Sequence, residues 1–235
     1  MPVEIRSARC FVAAFTASSA AINAAIADRG ETNLRPLEVR RGRGLCMLVF
    51  VDYVDGDLGP YNEFGVCFLM QAPGESASPL RALRSLGSGD AHALIHELPV
   101  DGEFTMAAGR EIWGFPKVLA DFDVDHDSSV KRGTVSLDGK LIADLIIGRG
   151  IGLPDSSNDT VLQAYSQLDG ITRRTPWRLT STSGTRSRLG GGTLKLGTHP
   201  MAKELRKLKL SRHALMTTSV ANLSMVFDDA TVMGR

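Results

Sequence analysis

Between residues 130 and 147 the chain reads VKRGTVSLDGKLIADLII, two β-forming runs that meet at Asp138-Gly139. An Asp-Gly pair accepts the positive φ angles of a two-residue turn, so this stretch commits the chain to adjacent antiparallel strands. The same reasoning applies to LCMLVFVDYV (45–54) and YNEFGVCFLMQ (61–71), which flank DGDLGP and predict a second hairpin. Further strands are expected over 10–16, in AHALIHEL (91–98), in KVLADFDVDH, twice within TPWRLTSTSGTRSRLGGGTLKLG, and in TTSVANLSMVFDDATVM. Helices are expected after a cap at Ser18 or Ser19, as a turn in LRALRSL (80–86), over EFTMAAGREIWG with Gly114 stopping it, and in HPMAKELRKL with Pro200 in its first turn. Roughly ten strands with three or four short helices, mostly hairpin-connected, predict a predominantly antiparallel α+β domain or a barrel-like fold. No repeat or break in composition divides it, so residues 1–235 are read as a single domain.

With 43% hydrophobic residues the chain can fill a sizeable core. Its 27 basic side chains against 26 acidic ones leave a net charge of +1, which supplies no global field for nucleic acid or an anionic membrane. The expected partner is a small molecule. Cys10, Cys46 and Cys67 are widely spaced and suit a reducing cytoplasm. CFVAAFTASSAAINAAIA follows Arg6 and Arg9 in the manner of a secretory segment, but Thr16, Ser18, Ser19 and Asn23 interrupt it. No apolar run reaches the roughly 18 residues of a membrane span, so a soluble cytoplasmic protein is expected.

Several motifs do not carry a function. RGRG (41–44) and RLGGG (188–192) lack the spacing of a phosphate-binding loop and read as turn glycines. His92 and His96 share a strand face with no third ligand at a metal spacing. In DFDVDHD (121–127) the apolar residues alternate with the acids, as in a strand with one solvated face. No metal and no cofactor are assigned.

GREIWGFPKVLA (109–120) is different. Lys117 stands among Ile112, Trp113, Phe115, Pro116, Val118 and Leu119. Withdrawing an ammonium from water disfavours its charged form, and a neutral amine is a nucleophile that condenses with a ketone. The residues alone leave open the alternative of a lysine that snorkels from an apolar collar to the surface.

AAGREIWGFPKVLA resembles the active-site segment of the acetoacetate decarboxylase family, in which a Gly-Arg-Glu run precedes an aromatic-Pro-Lys sequence. GPYNEFG resembles the family segment with a catalytic glutamate two residues after a tyrosine, and TRRTPWRLT and HPMAKELRKL follow in family order. The resemblance implies the family's barrel or cone, a homo-oligomer, and Schiff-base chemistry on a small keto acid without a cofactor. It implies that Lys117 attacks the ketone and Glu63 handles protons or destabilises a substrate carboxylate; Tyr61 is read either as a hydrogen-bond donor to substrate or as a packed strand tyrosine, and Trp113 and Phe115 as an apolar wall. The family's pocket arginine aligns on Ala8, so neighbouring Arg9 is taken as a substrate-binding residue, with Arg173 and Arg174 as secondary candidates. Arg110 and Glu111 are read as a buried pair or helix-end contacts. Two further features depart from the family: Val118 replaces a second lysine, and CMLVF (46–50) lacks a second acid. Three functions stay open: β-keto acid decarboxylation, aldol addition with dehydration, and non-catalytic binding in a retained fold.

Overall fold

The structure, a computed structural model, describes residues 2–72, 91–157 and 160–233; LRALRSL lies outside them. In chain order the elements begin with β1 (Val3–Ser18), α1 (Ser19–Ala27), β2 (Arg43–Gly56), β3 (Tyr61–Leu69), β4 (His92–Val100), α2 (Glu103–Trp113) and β5 (Lys117–Leu119). Then follow β6 (Asp121–Asp125), β7 (Lys131–Leu137), β8 (Lys140–Ile147), β9 (Ile151–Gly152), β10 (Thr160–Leu168) and β11 (Ile171–Ser183). The chain finishes with β12 (Arg186–Leu189), β13 (Gly192–Leu196), α3 (Pro200–Lys207), β14 (Met216–Phe227) and β15 (Thr231–Val232).

Both expected hairpins form. Asp138 and Gly139 take φ of 52° and 67°, as a primed turn requires, and Tyr53 pairs with Tyr61 across the β2–β3 connection. Ser18 caps α1, its Oγ accepting from Ala21 N at 3.4 Å, and Pro200 opens α3. Three expectations are corrected. The first strand starts at Val3 rather than residue 10, the Gly and Ser-rich segment after Pro176 makes three strands instead of two, and β10 fills a stretch read as connection.

A barrel results because β14 pairs with β1 along one edge, from Met216 to Phe227, and with β11 along the other, from Asn222 to Phe227. The ring runs β11-β10-β4-β3-β2-β1-β14, antiparallel except for β10 beside β4, and closure satisfies strand edges that would otherwise stay open. A four-stranded sheet, β13-β8-β7-β6, packs outside it.

Side-chain alternation divides the barrel wall. Outward-facing Phe11, Phe15, Phe50, Phe64 and Phe68 meet Ile22 of α1, Leu205 of α3 and Val135 and Leu145 of the outer sheet. Burying each such side chain contributes about 1.5–3 kcal/mol, so this layer supplies much of the stability. The opposite parity, including Ala8, Tyr53 and Tyr61, faces the interior with Leu98, Trp113, Phe115, Ala164 and Phe227. No described helix is long and apolar enough to cross a membrane.

Candidate active site

The lysine turn is built by the end of α2. Gly114 adopts φ 62°, its N–H bonds to Arg110 O at 3.1 Å, and Phe115 N bonds to Gly109 O at 3.0 Å, which together terminate the helix. Pro116 prevents the helix from resuming. Lys117 then opens β5, paired in parallel with Leu98 of β4. Arg110 Nη1 donates to Lys117 O at 3.2 Å, the helix-end contact expected of it. Arg110 and Glu111 are both exposed, so they form no buried pair.

From this turn the lysine side chain runs back along α2. A Cβ at Gly109 would stand 2.6 Å from Lys117 Cδ and 2.8 Å from Cε, so the glycine provides the space the stem occupies. The stem delivers Nζ to Glu63 Oε2 at 3.0 Å, Thr105 Oγ1 at 2.9 Å and Tyr61 Oη at 3.5 Å. Nζ also lies 4.7 Å from the Tyr61 ring centroid. Lys117 is 2% exposed, Glu63 5% and Thr105 1%, so the ion pair stands almost entirely out of water.

The second oxygen of Glu63 is held too. Tyr53 Oη donates to Oε1 at 3.0 Å, and the Tyr53 and Tyr61 rings stack at 4.3 Å. Burial, reinforced by the Glu63 charge, raises both tyrosine hydroxyls well above their ordinary range, so they remain donors at neutral pH. A carboxylate with both oxygens engaged has a fixed orientation. The arrangement can exchange a proton between an amine and an acid in a water-poor site.

The structure thus brings Lys117, Glu63 and Tyr61 together and adds Tyr53, Thr105 and Gly109. Tyr53 stands opposite Tyr61 in the hairpin register, a signal present in the sequence, and a lone glycine within a helical pattern marks close packing at Gly109. Thr105 carries no comparable signal. Trp113 and Phe115 anchor the turn: Trp113 Nε1 donates to Asp228 O at 2.9 Å, its carbonyl accepts from Ser166 Oγ at 2.7 Å, and Phe115 meets Trp177 edge-on at 6.0 Å. Arg9 goes elsewhere. It pairs with Asp52 at 2.8 Å and Asp127 at 2.6 Å on the outer parity of β1, while Ala8 faces Tyr53 within the barrel. Arg173 lies against Gly114, and Arg174 is exposed on β11.

One cluster combines residues that the sequence keeps apart. His96, Glu97 and Glu204 place their ligand atoms within 4.8 Å of one another on the barrel's outer side. His96 Nε2 meets Glu204 Oε1 at 2.9 Å, and the Arg29 guanidinium binds Glu97 and the His96 carbonyl. Arg29 already supplies the positive charge a cation would bring there, and these groups do not belong to the lysine site.

Comparison with known proteins adds to this geometry. The family model described as acetoacetate decarboxylase matches residues 2–234. Acetoacetate decarboxylase 1 of Bradyrhizobium diazoefficiens is 32% identical over 88 residues, 37% of this chain and 34% of that protein. Acetoacetate decarboxylase 3 of Mesorhizobium japonicum is 37% identical over 54 residues, 23% and 21% of the respective chains. These matches therefore span only about a third and a fifth of the relatives' own lengths. Among solved structures, the acetoacetate decarboxylase of Legionella pneumophila superposes with a TM-score of 0.69 at 17% identity, covering 100% of this chain and 88% of that one. The enduracididine biosynthesis enzyme MppR, complexed with the condensation product of pyruvate and imidazole 4-carboxaldehyde, gives 0.62 at 12% identity, covering 99% and 89%. The barrel is the fold of these proteins.

Proposed function

The chain belongs to the acetoacetate decarboxylase family, and from that premise we propose that it is a lyase whose Lys117 forms a Schiff base with the ketone of a small keto acid. The observation that carries this reading is the buried pair itself, Lys117 Nζ 3.0 Å from Glu63 Oε2. Passing one proton from Nζ to Oε2 gives a neutral amine beside a neutral acid. The amine adds to the ketone, Glu63 returns the proton to the oxygen to give a carbinolamine, then takes a second proton from its nitrogen and passes it to the hydroxyl, so that water departs and a protonated imine forms. Tyr53 keeps Glu63 oriented throughout by its bond to Oε1.

The iminium can then react in two ways. In a 3-keto acid the bond to the carboxylate breaks, its electron pair moves to nitrogen, and carbon dioxide leaves an enamine that is protonated and hydrolysed. In a pyruvate-like acid the carbon next to the iminium loses a proton, and the resulting enamine adds to an aldehyde. The imine nitrogen serves as the electron sink in both, which is why this reading calls for no cofactor. One observation favours the second course. Glu63 is the carboxylate paired with Lys117, while Met47 and Val49, from the segment lacking the second acid, line a cavity instead. Less like-charge repulsion then acts on a substrate carboxylate. The fold's likeness to MppR, solved with a pyruvate condensation product, supports the same choice.

The test is to incubate the protein with acetoacetate or pyruvate, reduce with borohydride, and map the adduct. Pyruvate is expected to label Lys117, Lys117→Ala to abolish the label, and acetoacetate to release carbon dioxide slowly or not at all. Rapid release without a pyruvate adduct would instead support the namesake decarboxylation. No adduct with any keto acid would leave a non-catalytic binding protein.

A further inference from the structure

The interior of the barrel holds more space than a three- or four-carbon acid uses. A cavity of about 700 Å³ opens there, with Val49 of β2 on one wall and Leu162 of β10 and Trp177 of β11 on the other. Its volume is that of pockets which enclose much larger ligands, and its lining is mainly apolar. Hydroxyl side chains such as Ser181 and Thr182 also contribute to it. Water against such walls is readily displaced by hydrocarbon.

The cavity adjoins the lysine site along two strands. Cys67, which lines it, lies on the same face of β3 as Glu63, four residues further on, about 13 Å at ordinary strand rise. Gly65 lies between them, and a Cβ there would be 3.4 Å from Cys67 Sγ and 3.6 Å from Leu98 Cδ1. Leu98 is also the β4 partner of Lys117, so this leucine borders both the lysine strand and the Gly65 position beside Cys67. The Glu63 carboxylate is close enough to add to the burial that pushes the Cys67 thiol up to about 12.

We infer that this cavity receives an apolar chain attached to the reacting keto acid, so that the substrates are keto acids with an extended alkyl or aryl-alkyl tail. The inference rests on Lys117 being the Schiff-base lysine. The head group meets Lys117 and Glu63, Leu98 turns aside at the junction, and the tail passes Val49, the partner of Gly65, toward Cys67 and Leu162. Each methylene transferred from water is worth up to about a fourfold gain in binding.

The experiment compares pyruvate with 2-oxooctanoate in borohydride trapping at Lys117, and measures octanoate binding, which needs no ketone, by calorimetry. Val49→Phe and Leu162→Phe fill the cavity from opposite walls and serve as independent controls. The expected result is a half-saturating concentration roughly tenfold or more lower for 2-oxooctanoate, octanoate binding to both the parent and Lys117→Ala, and loss of both effects in whichever filled variants fold. Trapping that is equally efficient for the two acids would overturn the tail site while leaving the lysine reading intact. Octanoate binding abolished by Val49→Phe or Leu162→Phe, with no adduct from any acid, would keep the tail site and reject the lysine reading. Failure of octanoate to bind the parent protein would overturn the cavity assignment directly.

Discussion

Gly109 shows how narrowly the lysine is placed. A methyl group there would stand 2.6 Å from Lys117 Cδ, so although Gly→Ala in a helix ordinarily gains up to about 1 kcal/mol, here it displaces the nucleophile's stem. Gly109→Ala is expected to fold and to trap keto acid at Lys117 at least about tenfold more slowly, because small misplacements of a reacting group are costly. Trapping at the parent rate would show that the stem has room to move. Glu63→Gln is expected to retain measurable imine formation but lose about a hundredfold or more in turnover, since it keeps the shape and removes the proton carrier; single-turnover trapping beside steady-state rates separates the two. Lys117, Glu63 and Tyr61 could be singled out in the sequence because their segments resemble those of the family, and the structure brings the three side chains together. Tyr53 could have been found through the register of the expected hairpin, whereas Thr105 reaches the site through helix docking, which local spacing does not encode. Arg9 and Ala8 differ by one position, and in a strand one position is the difference between two faces.

At the scale of elements, the turn residues told the most and the parity of long strands the least. Asp138-Gly139 announces its hairpin, yet Asp169-Gly170 makes a similar turn, with φ of 53° and 72°, between β10 and β11, in a stretch whose composition reads as connection. Its mixed TVLQAYSQL pattern has inward Ala164 and Ser166 where a strand core more often has branched residues, because its inner face meets Trp177 and Trp113. His126, which follows β6, gives this level a test in pH. Its ring packs 5.1 Å from Phe11, and burial lowers its pKa from 6.5 to about 4. The unfolded chain therefore binds the proton first as pH falls, so this group's stabilising contribution, full above 6.5, declines until the folded form also protonates near 4. Glu97, raised to about 7 by burial, has the opposite slope, so the comparison must isolate His126. Urea unfolding from pH 7 to pH 4 is expected to show a shallower loss of stability in His126→Leu than in the parent. Parallel curves would mean that His126 titrates alike in both states.

Seen as a whole, the molecule assigns different work to the two sides of one barrel wall. Closure through β14 gives every strand of the ring an inner and an outer face, so chemistry and most of the large aromatic packing are carried by alternate residues of the same strands. β2 shows the division at neighbouring positions. Val49 lines the inner cavity, whereas Phe50 stacks on Phe11 at 5.2 Å and tilts on Phe64 at 4.7 Å in the outer layer. The strand content was readable from pattern and turns and the barrel from the family resemblance, but which parity faced inward depended on closure, a property no single segment expresses. Phe50→Ala should cost about 3–5 kcal/mol, as expected for an aromatic removed from a close-packed core, while the half-saturating keto acid concentration for Lys117 trapping stays at its parent value. The reason is geometric. The cavity left by the ring opens toward the outer sheet, where Gly133 of β7 approaches Phe50 so closely that a Cβ would stand 2.8 Å from the ring, and not toward the lysine. Denaturant unfolding gives the first quantity, and borohydride trapping at a temperature where the variant is fully folded gives the second. A large shift in half-saturation with the fold intact would mean that the outer layer sets the position of the inner wall, and that stability and chemistry in this barrel are not separable by face.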